Sequence, residues 1–260
     1  MTTAPELFDL SGRVALVTGG SRGLGREIVL AYAAAGADVV ISSRKLDACE
    51  AVAREVRAMG RRALPVAAHA GRWSELEQLA DRAYDEFGRI DILVNNAGMS
   101  PLFESLDTVS EELFDKVMDL NFKGPFRLAT IVGTRMAAGD GGSIINISST
   151  ASVRPHWALM PYAAAKSALN VMTEAFAGAF GPTVRVNAIV PGTFLTDVSK
   201  AWDMDAFSKL AAGFPLARAG EPAEIAGLAL YLASDASSYM TGSTVVLDGG
   251  AMWGTRKPTG

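Results

Sequence analysis

The stretch VALVTGGSRGLG, from Val14 to Gly25, sets the expectation for the whole fold. An apolar, β-branched run is followed by a glycine-rich turn and then by a helical pattern of apolar residues that continues to Ala35. Glycines let the backbone approach a pyrophosphate closely, and the free N–H groups at a helix start favour its negative charge. The spacing is T-G-x-x-x-G-x-G rather than the generic G-x-G-x-x-G. Because strand, turn and helix coincide, we expect this turn to bind phosphate.

Short apolar runs alternate with longer helical stretches along the whole chain, a pattern typical of a parallel sheet covered by helices on both faces. We predict a doubly wound, Rossmann-like α/β fold of about seven strands, forming a single domain over residues 1–260. The predicted strands are 14–17, 39–41, 63–67, 92–94, 144–147, 184–190 and 244–247. The predicted helices are 23–35, 46–59, 74–87, 110–136, 162–180 and 222–233, with a capping box of Ser74 and Glu77.

One long segment, from Pro191 to Glu221, contains no predicted strand and is rich in apolar side chains. Long insertions in compact domains are often lids. We therefore expect residues 193–216 to form a lid over a substrate.

Composition excludes several classes of protein. The 260 residues are 49% hydrophobic and 20% charged, which favours a sizeable buried core. The formal net charge is −4, with the signs interspersed, so nucleic-acid binding is not expected. One cysteine and two histidines are too few for an intrachain disulfide or a metal cluster. Residues 1–10 do not resemble a signal peptide, and no apolar run is long enough to span a bilayer, so we expect a cytoplasmic protein without membrane contact.

The end of the second predicted strand carries information about the nucleotide. An acidic residue about 20 positions after the glycines is typical of NAD binding, but the chain has Ser43 and Arg44 there. Arg44 and Arg22 of the glycine turn are suited to pair with a 2′-phosphate through forked, charge-assisted contacts. NADP(H) is therefore the preferred cofactor prediction, with NAD(H) as the alternative.

Tyr162 and Lys166 are four residues apart and so share one helical face. A phenol has a pKa near ~10, and an adjacent ammonium favours the phenolate and lowers that value. On its own this spacing is common by chance, so further motifs must support it.

Three more motifs follow predicted strands: NNAG at 95–98, the serine pair Ser148 and Ser149, and NAIVPG at 187–192. Together with the glycine turn and the Tyr162–Lys166 pair, they make the chain resemble the short-chain dehydrogenase/reductase family in its compact form, from about Gly12 to Gly250. The resemblance implies an oxidoreductase that moves a hydride between a nicotinamide cofactor and a carbonyl or alcohol group.

The resemblance also implies a catalytic set. Tyr162 corresponds to the general acid or base, and Lys166 to the residue that lowers the tyrosine pKa and binds the nicotinamide ribose. Ser149 corresponds to the serine that polarises the substrate oxygen, and Asn121 to an asparagine that holds a water in a proton relay.

Cofactor contacts are implied at the same motifs. One departure is His69, which stands where the family usually places an aspartate that contacts adenine. Besides Tyr162 and Lys166, the expected cofactor-binding residues are Gly19, Ser21, Arg22, Gly23, Leu24, Gly25, Ser43, Arg44, His69, Ala70, Asn96, Ala97, Gly98, Pro191, Gly192, Thr193 and Thr196.

The residues expected around the substrate are mainly apolar or aromatic, which favours a hydrophobic ketone or secondary alcohol. They are Met99, Ser100, Thr150, His156, Trp157, Met160, Phe194, Leu195, Trp202 and Phe207. Packing in the core is the alternative role for several of them.

Two other functions stay open: a 3-oxoacyl-thioester reductase of the acyl-carrier-protein type, and a dinucleotide-binding sensor that has lost its chemistry. The resemblance further implies a homotetramer or homodimer, with contacts through the surface formed by Ala163, Ala164, Ala165 and Ala168 and through the last strand, 245–247.

Overall fold

The computed structural model describes residues 3–196, 199, 204–252 and 254. Its centre is a single parallel sheet, whose strands are β1 (Val14–Thr18), β2 (Asp38–Ser43), β3 (Ala63–Ala67), β4 (Ile92–Asn95), β5 (Gly142–Ile147), β6 (Val184–Pro191) and β7 (Thr244–Leu247). The strand order is β3-β2-β1-β4-β5-β6-β7. Each predicted strand is confirmed to within two residues at either end.

The helices follow the strands in alternation. They are α1 (Ala4–Leu7), α2 (Gly23–Ala34), α3 (Leu46–Ala58), α4 (Trp73–Phe87), α5 (Glu111–Met118), α6 (Gly124–Ala138), α7 (Met160–Phe180), α8 (Met204–Ala211) and α9 (Ile225–Ala233). Short 3₁₀ turns at Thr150–Ser152 and Trp157–Leu159 connect β5 to α7.

Successive residues of β1 enter two different hydrophobic clusters, because side chains alternate between the faces of a sheet. Ala15 and Val17 pack with α2, α3 and α9, whereas Val14 and Leu16 pack with α4, α6 and α7. Both faces of the sheet are therefore covered by helices, and one sheet organises both clusters. The predicted Rossmann-like, single-domain fold is confirmed.

The predicted helix 110–136 is wrong as one continuous element. It is divided into α5 and α6 by a π-helical turn at Asp119–Lys123. The buried residue in that turn is Asn121, whose side chain is bonded outside the helix to the backbone of Met99. Packing against a distant loop thus favours a wider turn that a periodicity argument does not detect.

The predicted capping box of Ser74 and Glu77 is also wrong. Helix α4 begins one residue earlier, at Trp73, and Arg72 at the N-cap makes no side-chain cap. Glu75 instead accepts the His69 N–H at 2.6 Å and pairs with the Arg72 guanidinium. A carboxylate in the first turn is favoured there by the helix dipole.

The segment after β6 contains α8 and one isolated parallel bridge, between Phe194 and Gly220. Trp202, expected to line the substrate space, lies outside the described residues. Across the helices that the structure describes, none is long and apolar enough to cross a bilayer.

Candidate active site

The candidate site lies at the carboxyl edge of the sheet, around the point where the strand order reverses between β1 and β4. In open α/β sheets, ligands bind in the crevice that opens at this reversal. The loops after β1, β4, β5 and β6 carry the residues that the sequence singles out.

The backbone of the glycine turn requires glycine at several positions. Gly19 and Gly23 have positive φ angles of 65° and 53°, which glycine adopts without strain. A Cβ at Gly25 would overlap the Gly19 carbonyl oxygen and the Asn96 amide nitrogen. Ser21, Arg22 and Leu24 complete the turn, and α2 begins at Gly23. The result is a backbone cradle at a helix start, which fits the pyrophosphate of a dinucleotide.

Asn96 braces this cradle from the neighbouring strand. Its Nδ2 donates to the Thr18 carbonyl oxygen at 2.8 Å and to the Gly19 carbonyl oxygen at 3.2 Å. The Thr18 hydroxyl in turn accepts the N–H groups of Asn96 and Ala97 at 3.0 and 3.1 Å. Sequence analysis missed Thr18, although its place directly before the glycines was a usable signal.

Two arginines stand at the edge of the cradle. Arg22 occupies the N-cap of α2, and Arg44 follows β2; both are exposed. Within the described part of the chain, neither guanidinium forms an ion pair with a carboxylate. Ser43 is half-buried, and its Oγ lies 3.0 Å from the Cys49 Sγ and donates to the Lys45 carbonyl. No carboxylate occupies positions 43–45, so positive charge predominates at the end of β2.

His69 and Ala70 form the loop after β3. The His69 Nδ1 accepts the Gly71 N–H at 3.1 Å, so the imidazole is held within its own loop. Ala70 lies against the start of α6, where a Cβ at Gly124 would overlap its carbonyl oxygen. These residues therefore shape the crevice beside β2 and β3.

Asn121 is fully buried in the π-helical turn. Its Nδ2 donates to the Met99 and Val117 carbonyl oxygens, each at 2.9 Å, and its Oδ1 accepts the Met99 N–H at 3.2 Å. A Cβ at Gly98 would lie 2.8 Å from this Oδ1 and 3.6 Å from the Lys166 Nζ. The fold thus brings Asn121, Gly98 and Lys166 together, and the asparagine side chain fixes the loop after β4.

Ser149 begins the 3₁₀ turn after β5, and its Oγ accepts the Ala151 N–H at 3.2 Å. Its neighbour Ser148 is buried and donates to the Lys166 carbonyl oxygen at 3.3 Å. Of the two serines, Ser149 is the more accessible.

Tyr162 and Lys166 lie one turn apart on α7, with the Lys166 Nζ 5.8 Å from the centre of the Tyr162 ring. Lys166 is only 3% exposed, and its Nζ donates to the Ile147 carbonyl oxygen at 2.7 Å. Burial lowers the Lys166 pKa to about 7. Burial raises the pKa of Tyr162, and the Ser149 hydroxyl acts in the opposite direction.

This differs from the expectation that the Lys166 charge lowers the Tyr162 pKa. Desolvation of the phenol is the larger of the two effects on the Tyr162 pKa, and the Ser149 hydrogen bond is the smaller one. Desolvation therefore favours the protonated phenol of Tyr162.

The loop after β6 approaches both the glycine turn and the end of β7. Pro191 ends β6, and the Gly192 N–H donates to the Leu247 carbonyl at 2.9 Å. A Cβ at Gly192 would lie 2.6 Å from the Asp248 Cβ. The Thr193 carbonyl accepts the Gly220 N–H, and Thr196 packs against Gly23. The loop therefore closes one side of the cradle.

The residues expected around the substrate divide into two groups. Phe194 is buried in the cluster on the α2 and α9 face, so it has the core role rather than the pocket role. His156 and Trp157 stack with ring centres 5.5 Å apart, and Trp157 is 53% exposed. Exposed apolar side chains occur in all three loops that follow β4, β5 and β6, namely Leu102, Val153, Trp157 and Leu216, and at the start of α7, where Met160 lies.

The chain is similar to known oxidoreductases over nearly its whole length. The sequence profile of a family described as enoyl-(acyl carrier protein) reductase matches residues 19–252. An uncharacterized oxidoreductase of Mycobacterium tuberculosis is 41% identical over 254 residues, covering 94% of each chain. Dehydrogenase/reductase SDR family member 4 of Bos taurus is 37% identical, covering 94% of this chain and 88% of the relative.

A solved structure is similar over nearly the full length. It is a 7α-hydroxysteroid dehydrogenase complexed with NADH and 7-oxo glycochenodeoxycholic acid, 33% identical, with a TM-score of 0.91 over 96% of this chain and 98% of that one. The fold and site define an oxidoreductase with a dinucleotide cradle at the edge of a parallel sheet. The chain belongs to the short-chain dehydrogenase/reductase family.

Proposed function

We propose that this protein is an NADP(H)-preferring carbonyl reductase and alcohol dehydrogenase that acts on hydrophobic ketones or the corresponding secondary alcohols. The observation that carries the proposal is the grouping of Ser149, Tyr162 and Lys166 beside the glycine cradle. A bound reduced nicotinamide supplies the hydride that reaches the carbonyl carbon.

The protein's own residues supply the proton and hold the substrate. The Ser149 oxygen accepts the Ala151 N–H, and its hydroxyl proton turns from the Tyr162 phenol to the substrate oxygen when a substrate binds. The protonated Tyr162 phenol donates its proton to that oxygen as the hydride arrives, which gives a neutral alcohol. In alcohol oxidation the same groups work in reverse.

The preference for NADP(H) rests on the absence of a carboxylate after β2 and on the exposed guanidinium groups of Arg22 and Arg44. Arginine binds phosphate in a forked geometry and stays charged at every working pH. NAD(H) is the alternative cofactor, since the similar steroid dehydrogenase is described with NADH.

The hydrophobic substrate rests on the apolar side chains around the mouth of the site. Leu102, Trp157 and Leu216 come from three different loops, yet each is more than half exposed. Exposed apolar side chains in the loops at the carboxyl edge of the sheet favour an apolar ligand site. Residues 193–216 are the proposed lid over the site, and residues 197–198 and 200–203 of this segment lie outside the described residues.

A second candidate is the reduction of 3-oxoacyl thioesters. It is favoured by the matching family profile, whose description names an acyl-carrier-protein reductase. A carrier-protein substrate calls for clustered basic residues near the mouth, and Arg154 is the basic residue that the chain supplies between β5 and α7. We therefore place free ketones first.

The same family likeness supports assembly into a homotetramer or homodimer. Of the alanines expected at the contact surface, Ala163 and Ala165 are buried within the subunit, so they are not available for it. Ala164, Ala168 and the exposed Val171 form the remaining face of α7.

The test combines cofactor binding with turnover. We expect the purified protein to bind NADPH more tightly than NADH and to oxidise NADPH with apolar ketones, measured by loss of the reduced-nicotinamide absorbance. Tyr162→Phe removes the proton donor while keeping the ring, so turnover should fall at least ~100-fold with NADPH binding unchanged. Cofactor binding without turnover on any ketone or 3-oxoacyl thioester would favour the sensor function, and absence of cofactor binding would contradict the proposal.

A further inference from the structure

The hydroxyl of Ser152 holds the backbone of Ser149. The Ser152 Oγ donates to the Ser149 carbonyl oxygen at 2.6 Å, and the Ser152 N–H donates to the same oxygen at 2.9 Å. Both bonds close the 3₁₀ turn that begins at Ser149. The position of the Ser149 side chain therefore depends directly on Ser152.

The same hydroxyl is tied to helix α7. The Asn170 Nδ2 donates to the Ser152 Oγ at 2.9 Å, and the Ser148 hydroxyl lies 3.3 Å from it. Asn170 follows Lys166 by one helical turn and Tyr162 by two, so all three lie on one side of α7. Ser152 thus links the loop that carries Ser149 to the helix that carries Tyr162 and Lys166.

Within the part of the chain that the structure describes, the Asn170 side chain is held by one bond, the one to Ser152. Its amide nitrogen faces Ser152, while its Oδ1 is buried and has no hydrogen-bond partner among the described residues. An unpaired buried acceptor is unfavourable. The bond to Ser152 is thus the one contact that orients the Asn170 amide among the described residues.

We propose that Ser152, oriented by Asn170, is a positioning residue that sets the distance between the Ser149 hydroxyl and the Tyr162 phenol. The inference rests on the proposed function, because it acts through Ser149. The Ser152 hydroxyl donates its one proton to the Ser149 carbonyl oxygen. Its oxygen accepts the Asn170 amide N–H, and this second bond fixes the orientation of the hydroxyl. Small errors in the distance between reacting groups reduce the rate strongly.

The experiment is a double-mutant cycle on hydride transfer, using the ketone that the wild type turns over best. Ser152→Ala should lower kcat at least ~10-fold, while the Kd for NADPH changes less than ~2-fold. In a Ser149→Ala background, adding Ser152→Ala should lower kcat by less than a further ~2-fold, because the hydroxyl that Ser152 positions is gone. Ser152→Thr keeps the hydroxyl and should restore most of the rate.

Ser167→Ala is the matched control. The Ser167 hydroxyl donates to the Ser152 carbonyl at 2.8 Å, so it ties down the same turn without touching the Ser152 hydroxyl. We expect it to lower the Tm with a change in kcat under ~3-fold. If Ser152→Ala does not fold, Asn170→Ala replaces it, with the same expected loss of kcat.

Two results would overturn the positioning role. One is a wild-type kcat in Ser152→Ala. The other is a double variant whose loss of kcat equals the product of the losses in Ser149→Ala and Ser152→Ala. These results differ from failure of the proposed function. If Ser149→Ala itself turns over like the wild type, the catalytic assignment of Ser149 is wrong, and the positioning role is wrong with it.

Discussion

At the scale of single residues, the buried ammonium of Lys166 has the largest electrostatic consequence. Its Nζ has one backbone acceptor, the Ile147 carbonyl, and burial lowers its pKa to about 7. In the unfolded chain the same group has its ordinary pKa of 10.5. Between these values the unfolded state binds more protons than the folded state, so Lys166 makes stability rise with pH in that range.

Lys166→Met tests this linkage, because methionine keeps most of the side-chain volume without the charge. Below about pH 7 the wild type must keep a charged group buried, so the variant should be more stable there by a few kcal/mol. The advantage should shrink as the pH rises from about 7 toward about 10. Urea unfolding of both proteins at several pH values measures it, and an advantage independent of pH would contradict the assignment.

Arg44→Asp tests the selection of the cofactor. Loss of a charge-assisted bond to the 2′-phosphate costs ~1.5–3 kcal/mol, which corresponds to ~10- to 100-fold weaker NADPH binding. NADH lacks this phosphate and should lose less than ~3-fold. Arg54→Asp, a change at an exposed arginine on α3, is the control for net charge. Equal weakening of both cofactors in Arg44→Asp would contradict the role of Arg44.

At the scale of elements, hydrogen bonds from the end of the neighbouring strand β4 hold the glycine turn and the start of α2 in place. Asn96 and Ala97 after β4 donate four hydrogen bonds to Thr18 and Gly19 at the end of β1. Gly25 lies so close to the Gly19 carbonyl and the Asn96 amide that a Cβ would separate the two turns.

Gly25→Ala should therefore deform the cradle. We expect NADPH binding to weaken at least ~100-fold and stability to fall by ~1–3 kcal/mol, as in other overpacked sites. Gly227→Ala on α9 is the matched control, because a Cβ there meets no neighbouring atom. That change should leave NADPH binding intact and stabilise the helix by ~0.5–1 kcal/mol. Isothermal calorimetry and urea unfolding give both quantities, and unchanged binding in Gly25→Ala would contradict the close-approach argument.

At the scale of the whole molecule, α7 serves the sheet on one side and presents a separate face on the other. Ala163 and Ala165 pack inside the subunit, whereas Val171 is 68% exposed. Exposed apolar side chains also stand on the adjacent helices, with Phe114 on α5 and Phe126 on α6. We expect this surface to be covered by a second copy of the chain.

Val171→Asp should shift the mass measured by light scattering from tetramer or dimer toward a smaller species, because it places a charge in an apolar contact. Met59→Asp, at an exposed methionine that ends α3, should leave the mass unchanged. A wild-type protein that stays monomeric at high concentration would contradict the proposed assembly.

The sequence by itself determined the sheet, because each strand is a local apolar run whose length and flanking turns are written in consecutive residues. It also determined which residues stand at the strand ends, from Gly19 to Ser149. These follow from the chain alone, since the carboxyl ends of parallel strands share one edge of the sheet.

Only the tertiary structure decided the features that depend on contacts between distant residues. The π-helical turn at Asn121 follows from its bonds to Met99, the core role of Phe194 from its packing on Gly220, and the Ser152–Asn170 link from the docking of α7 on the loop after β5. The directions in which the pKa values of Tyr162 and Lys166 shift also depend on contacts between distant residues. Desolvation depends on everything that surrounds a side chain, and local sequence does not specify those surroundings.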